Sequence, residues 1–245
     1  MLPGVHTHAV HNTDQTVTLL HMRDIGRYND WVFSYLAPHI RGRVLEVGCG
    51  IGTYSVRLRE HAAHLTCVDM VPTYAAEVRQ RLAGYPHSGV VLGMLGGGLA
   101  FRPASFDTIV CLNVIEHVED DHGALKLLHS YLAPGGCLLV QVPAHQWLFG
   151  SIDACLGHYR RYTARSLREA LRQGGFAIEL EPTYLYALAI PGWWLIGRVA
   201  RRRAVPEASV RIANVLAALS RAIESVIRPP FGLTVLAVGR VSERG

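Results

Sequence analysis

Short apolar runs recur through the middle of the chain, separated by stretches whose apolar residues fall three and four apart. RVLEV from Arg43, HLTCVD from His64, GVVLGM from Gly89, DTIVCL from Asp107 and CLLVQV from Cys137 predict five strands. Leu- and Ala-rich stretches between them, such as DHGALKLLHSYL, predict crossover helices. Strands that are apolar almost throughout, alternating with helices, call for an α/β fold with a parallel sheet covered on both faces. Pro134-Gly135-Gly136 reads as the turn feeding the fifth strand. A helix over Thr163–Gln173, stopped by Gly174-Gly175, leads to a sixth strand, FAIEL, and LTVLAVG supplies a seventh at Leu233–Gly239.

A single domain is expected, in four parts. Residues 1–42 form a helical lead-in in which YNDWVFSYL is a helix ending near Pro38, and residues 43–181 form the core. Residues 182–232 form a helical insertion, and residues 233–245 hold the last strand and tail. Within the insertion, Ile212, Val215, Leu216, Leu219, Ile223, Val226 and Ile227 mark an amphipathic helix between Pro206 and Pro229-Pro230.

Charge changes the picture only once it is mapped. The net +5 of the whole chain splits into −1 over residues 1–197 and +6 over residues 198–245. A nucleic-acid footprint should run along a face near the reactive site, so a basic excess confined to one end argues against that class of partner. Cys49, Cys67, Cys111, Cys137 and Cys155 are scattered, odd in number and never paired as C-x-x-C. They read as small apolar residues of a reducing compartment and not as a zinc framework. Three early histidines, His6, His8 and His11, precede no charged-then-apolar signal pattern, so a cytoplasmic address is expected.

VLEVGCGIG, Val44 to Gly52, is a strand entering a glycine turn, where a missing Cβ allows a tight bend and close approach to a ligand. The spacing is G-x-G-x-G, and Thr53 takes the place of the third glycine of a dinucleotide fingerprint. Glu46 ahead of the first glycine suits a cationic ligand better than a pyrophosphate. Asp69, ending the second strand, is placed to take both hydroxyls of a ribose.

These residues, with Phe106-Asp107, the NVIEHVED run and LAPGG in the same order, resemble the class I S-adenosylmethionine (SAM)-dependent methyltransferases over about Tyr28–Leu180. The resemblance implies a Rossmann-like seven-stranded sheet, SAM as cofactor and S-adenosylhomocysteine as product. It implies that Glu46, Gly48, Cys49 and Gly50 lie against the methionine part of SAM. By the same resemblance Asp69 holds the ribose, Met70 packs on adenine and Asn113 anchors the amino-acid end. The family usually carries an acid after the third strand, whereas this chain has GMLGGGLAF, which leaves backbone near Leu95 and Gly96 for that task.

GHYRRYT, Gly157 to Thr163, follows the fifth strand, on the side of the sheet where ligands bind in open α/β folds. The pattern D-x3-GHYRRYT, with the PGWW and PFGLTVLAV segments, resembles a bacterial subgroup of these enzymes. Thr163 or Ser166 can cap the helix that follows, and Ser166 with Glu169 suggests a capping box. Methyl transfer from a sulfonium needs alignment and no metal, so none is expected. An oxygen or nitrogen acceptor benefits from an imidazole base, for which His158, His117 and His145 are the candidates, in that order. Arg160 and Arg161 suit an anionic acceptor; the competing expectation is that one of them simply pairs with Asp153. Tyr28 and Tyr162 complete the expected acceptor wall.

The segment 184–203 carries two tryptophans and then four arginines, and its uncharged stretch is too short to span a bilayer. It reads first as a lid over the acceptor, with an interfacial anchor on anionic lipid or a homodimer contact as the alternatives. The expected acceptor is a small organic molecule methylated at oxygen. Methylation at nitrogen or carbon of a lipid or isoprenoid, or SAM binding without turnover, are the competing readings.

Overall fold

The computed structural model describes residues 13–97 and 99–243; His6, His8, His11 and the start of the lead-in lie outside the described residues. Two helices open it, α1 (Thr13–Asp24) and α2 (Gly26–Leu36). Then β1 (Arg43–Val47), α3 (Ser55–Leu58), β2 (His64–Asp69), α4 (Pro72–Arg81) and β3 (Ser88–Leu92) form the first half of the sheet. The second half runs β4 (Phe106–Leu112), α5 (Asp121–Tyr131), β5 (Leu132–Pro143), α6 (Ser151–Leu156), α7 (Ala164–Gln173) and β6 (Ala177–Leu185). The insertion contains α8 (Ile190–Trp194), a π-turn over Leu195–Val199 and α9 (Ala208–Glu224), and β7 (Thr234–Arg240) closes the sheet.

The seven strands lie in the order β3-β2-β1-β4-β5-β7-β6. β1 pairs in parallel with both β2 and β4, so the strand order reverses between β1 and β4 and opens a crevice at their carboxyl ends. The continuous apolarity of the strands has a direct structural cause. Leu45, Ile109, Leu138 and Val140 face a core shared with Leu125, Leu128, Leu167 and Leu171 of α5 and α7. Their neighbours Val44, Val110 and Leu139 face the opposite core, with Trp31, Val32, Val78 and Ala217 of α2, α4 and α9. Both sides of the pleat are buried, so both are apolar apart from hydrogen-bonded exceptions such as Glu46 and Thr108.

β7 runs antiparallel to β5 and β6. Leu185 pairs with Thr234, which means the insertion leaves and re-enters the sheet at the same edge, the carboxyl edge of the parallel strands. Its π-turn is fixed to α6: Gly150 and Gly197 pack backbone to backbone, and Ser151 Oγ donates to the Gly197 carbonyl at 2.9 Å.

Three boundaries differ from the sequence reading. β5 starts at Leu132, and the Pro134-Gly135-Gly136 turn lies inside it as a register shift between the pairs Phe106/Leu132 and Thr108/Cys137. β6 continues past Leu180 to Leu185, taking Pro182 into an irregular stretch where the missing N–H breaks no ladder bond. The cap of α7 is Thr163 with Ser166, not Ser166 with Glu169: the Ser166 N–H donates to Thr163 Oγ1 and the Thr163 N–H to Ser166 Oγ. Glu169 instead accepts from Gln173 Nε2 at 2.8 Å.

α9 inverts the usual use of an apolar stripe. It packs inward through Ala217, Ser220 and Glu224, whose carboxylate accepts the backbone N–H groups of Tyr186 and Ala187. Ile212 and Leu219 of its stripe are 63% and 49% exposed, and Val226 and Ile227, just past its end, 84% and 66%, while Leu216 packs against the core.

The stem of the insertion gives the fold a sharp test. A Cβ at Gly232 would overlap the Leu185 carbonyl oxygen and stand 2.7 Å from the Leu185 nitrogen, both backbone atoms that cannot swing away. Gly232→Ala should therefore cost about 2 kcal/mol or more. Urea unfolding measures it, and a midpoint unchanged from wild type would contradict this stem.

Candidate active site

The glycine turn is built as a cradle. Gly48, Gly50 and Gly52 all have positive φ (69°, 52° and 81°), and the Gly48 and Cys49 N–H groups bond back to the Val68 carbonyl. Beside it, Asp69 ends β2 with Oδ2 accepting from the Gly50 N–H at 2.8 Å and Oδ1 from the Val71 N–H at 2.9 Å. These bonds tie the carboxylate to the turn. Met70 and Leu92, at the ends of β2 and β3, expose 43% and 55% of their surface, as an apolar shelf for a flat ring requires. Gly96 has positive φ and open space where a Cβ would stand, and Leu95 is buried beside it. Asn113 leaves β4 with φ 54° and is exposed at the crevice. This set of acid, open glycine backbone and apolar shelf fits SAM.

Two of the residues expected against the methionine part sit differently. Glu46 is buried below the turn: Ser55 Oγ, on the first residue of α3, donates to its Oε2 at 2.5 Å and Cys67 Sγ at 3.3 Å. Burial pushes its carboxyl up to about 7, against the opposing bond from Ser55. Glu46 therefore braces the turn from beneath, and its side chain is not a wall of the crevice. Cys49 is likewise buried, which leaves its backbone as the part nearest the ligand.

The acceptor side is reached through Val114, whose side chain occupies the space that a Cβ on Gly48 would need. The turn that follows carries Glu116 and His117. Opposite them, α6 ends at Gly157 in the left-handed conformation (φ 78°), and the chain doubles back onto its own helix. The His158 N–H bonds the Asp153 carbonyl at 3.0 Å, and His158 Nδ1 bonds Asp153 Oδ1 at 2.9 Å. The rings of His117 and His158 meet edge to face with centroids 4.5 Å apart. His117 keeps some exposed surface, yet its imidazole is walled in by neighbours; burial first and His158 second push it down to about 3.

Glu116 is fully buried, and neither carboxylate oxygen has a hydrogen-bond partner among the described residues. Burial pushes its carboxyl up to about 8, opposed first by its own backbone N–H and then by Arg161, with Asp153 adding to the rise. The structure thus brings His117 and His158 together with an acid that the sequence reading did not single out. The Glu-His pair after β4 and the five-residue spacing from Asp153 to His158 were the available signals. His145 is elsewhere: it stacks on Tyr184 at 4.8 Å, and burial with Arg161 nearby lowers its pKa.

The arginines correct the expected acceptor wall. Arg161 is buried, its Nε and one terminal nitrogen on the two Asp153 oxygens at 2.8 and 3.0 Å and the other on the Ala144 carbonyl at 3.0 Å. With its donors so occupied it holds the protein and not an acceptor. Burial alone would raise the Asp153 carboxyl, but the bond from His158 and the Arg161 charge outweigh that and hold it below the usual range. Arg160 pairs with Asp121 at 2.7 Å and donates to the Glu119 carbonyl. Tyr162 is buried and donates its hydroxyl to Asp121 Oδ2 at 2.6 Å, so both residues knit α5 to the loop. Tyr28 is also interior: its hydroxyl bonds Thr234 Oγ1 at 3.0 Å and accepts from Gln141 Nε2 at 2.9 Å, and burial pushes the phenol up.

A seven-stranded sheet of this order, with the glycine cradle and Asp69 at its switch point, defines a class I methyltransferase. The chain matches the methyltransferase domain family over residues 20–181 and belongs to it, as an S-adenosylmethionine-dependent methyltransferase. A ubiquinone biosynthesis O-methyltransferase of Xylella fastidiosa (strain M23) is 38% identical over 102 residues, 40% of each chain, so the match spans well under half of that relative. A probable S-adenosylmethionine-dependent methyltransferase of Mycolicibacterium smegmatis is 33% identical over 156 residues, 62% of this chain and 59% of the relative. The S-adenosylmethionine-dependent methyltransferase structure from Mesorhizobium loti superposes with a TM-score of 0.59 at 18% identity, covering 85% of this chain and 95% of that one, which shows the shared fold.

Glu46 supplies a pH test of the cradle. Its pKa is raised on folding, from about 4.5 to about 7, so the folded state binds the extra proton. The resulting stability is present at pH 4 and is lost as pH rises through 5 to 7, a span worth roughly 3 kcal/mol at most. Glu46→Gln should flatten the fall in melting temperature across that window; an unaltered slope would remove Glu46 from the account.

Proposed function

We propose that the protein transfers the methyl group of SAM to a hydroxyl oxygen of a small organic acceptor bound over the Glu116–His117–His158 cluster. The observation that carries this reading is the contact of the two loops: Val114 packs on Gly48, which sets the acid–histidine cluster beside the SAM cradle. The Xylella relative is a ubiquinone biosynthesis O-methyltransferase, which supports oxygen over nitrogen or carbon. Asp69, Gly48, Gly50 and Asn113 hold the cofactor, with Met70, Leu95 and Gly96 at its ring end. The acceptor oxygen bonds to the methyl carbon as the carbon–sulfur bond breaks, the electron pair going to sulfur and the hydroxyl proton leaving through the cluster. Asp153 fixes His158 through Nδ1, which holds the ring within reach of Glu116 and His117 and leaves Nε2 outside that bond.

Two measurements test it. Asp69→Asn should weaken SAM binding by tenfold to a hundredfold in calorimetry, the order expected for losing charge-assisted bonds to a ribose. Methyl-labelled SAM incubated with the protein and an extract of the source organism, then partitioned, should place label in small molecules. Label confined to the macromolecular pellet would overturn the small-acceptor reading.

A membrane-surface use of the insertion has its own support. No helix among the described residues is long and apolar enough to cross a bilayer. The exposed stripe of α9 lies in the same segment as Trp194, Leu195 and Val199, also exposed, and as exposed Arg198, Arg201, Arg202, Arg203 and Arg211. Apolar side chains flanked by cations suit an anionic lipid surface, where a lipid-soluble acceptor would be met. The protein should pellet with phosphatidylglycerol vesicles, and Leu219→Glu with Ile223→Glu should abolish this. Failure of the wild type to pellet would leave the insertion as a lid alone.

A further inference from the structure

We propose that Glu116, His117 and His158 form a binding site for a divalent first-row transition-metal ion, Zn2+ or Mn2+ in class, at the acceptor end of the crevice. The proposal rests on the reading of this cluster as the acceptor site and deepens it by assigning an ion that contacts the acceptor. It also reverses the expectation that no metal takes part.

Three observations converge. One oxygen or nitrogen of each of the three residues lies within 4.8 Å of the others. Bonds of about 2.0–2.2 Å to imidazole nitrogen and carboxylate oxygen need ligand atoms about 3.3 Å apart, a closure that small side-chain rotations supply. The carboxylate of Glu116 is fully buried with neither oxygen bonded among the described residues. A cation shared with the two imidazoles would satisfy the buried carboxylate. Finally, the histidines are oriented from behind. Asp153 Oδ1 takes His158 Nδ1, and the Leu156 carbonyl stands by the His117 imidazole. A carboxylate or carbonyl behind each metal-facing imidazole is the arrangement that fixes tautomer and direction in metal sites.

Two histidines and one carboxylate occupy one face of an ion and leave the remaining positions for other ligands. A hydroxyl entering one of these is acidified by the positive charge, so its proton leaves to solvent as the oxygen becomes nucleophilic. His158 then serves as a ligand, and the task expected of it as a base passes to the ion. Local charge agrees: among the described residues Glu116 and Asp153 stand against the guanidinium of Arg161, and His117, His158, Cys111 and Tyr162 are the other titratable groups facing them.

The test uses the full-length protein stripped with EDTA and dialysed. Co2+ titration should give visible d–d absorption saturating at one ion per chain, and calorimetry with Zn2+ or Mn2+ should show one site. Glu116→Gln and His158→Ala should each weaken binding at least tenfold, while His145→Ala should not. Circular dichroism melts check that the variants fold, and His117→Gln gives a second ligand change if His158→Ala does not. No saturable binding of any of the three ions, or binding unmoved by the cluster variants, would overturn the proposal. SAM calorimetry on the same samples separates the failures: SAM bound with no saturable ion uptake sinks the metal site alone, and SAM unbound with or without added metal sinks the functional reading beneath it.

Discussion

The acceptor side of this protein hangs on one buried carboxylate. Asp153 is fully enclosed, and on its two oxygens converge Arg161, His158 and the Gly150 N–H. An unpaired charge in that place would cost several kcal/mol, so the pairing is obligatory and not optional. Because Arg161 also grips the Ala144 carbonyl and its own N–H donates to Gln146 Oε1, the same pair clamps the exit of β5 against α6. His158 is directed only because that clamp is in place.

The other half of the crevice is made differently, from backbone. Glycines at positive φ and the Asp69 bonds to two N–H groups shape the cradle, and Glu46 supports it from below. The sheet order sets these two halves side by side, since β1 and β4 are neighbours whose connections run in opposite directions. One side is thus fixed by main-chain geometry and the other by side-chain charge.

The sheet was legible in the sequence because both faces of each central strand are buried, and an apolar run then has one reading. The cradle was legible because glycine at positive φ leaves a fixed spacing. Arg160, Arg161, Tyr162 and Tyr28 were not, since a cation or phenol in a loop gives no sign of its partner, and Asp121, Asp153 and Thr234 come to them only through the fold. Glu116 was hidden for the same reason: within NVIEHVED it looks like any turn acid, and only its burial without partners distinguishes it. The stripe of α9 was visible as a pattern, but the small residues that turn inward decide which way it faces.

The backbone contact between Gly150 and Gly197 joins the insertion to the helix that carries Asp153. Nothing bulkier than hydrogen separates the two segments there, so a shift of the π-turn towards α6 has no slack to absorb it. Whatever displaces the insertion, by docking on a surface or admitting an acceptor, also shifts the hinge pin of His158. Entry to the pocket and readiness for chemistry are by this joint mechanically a single event.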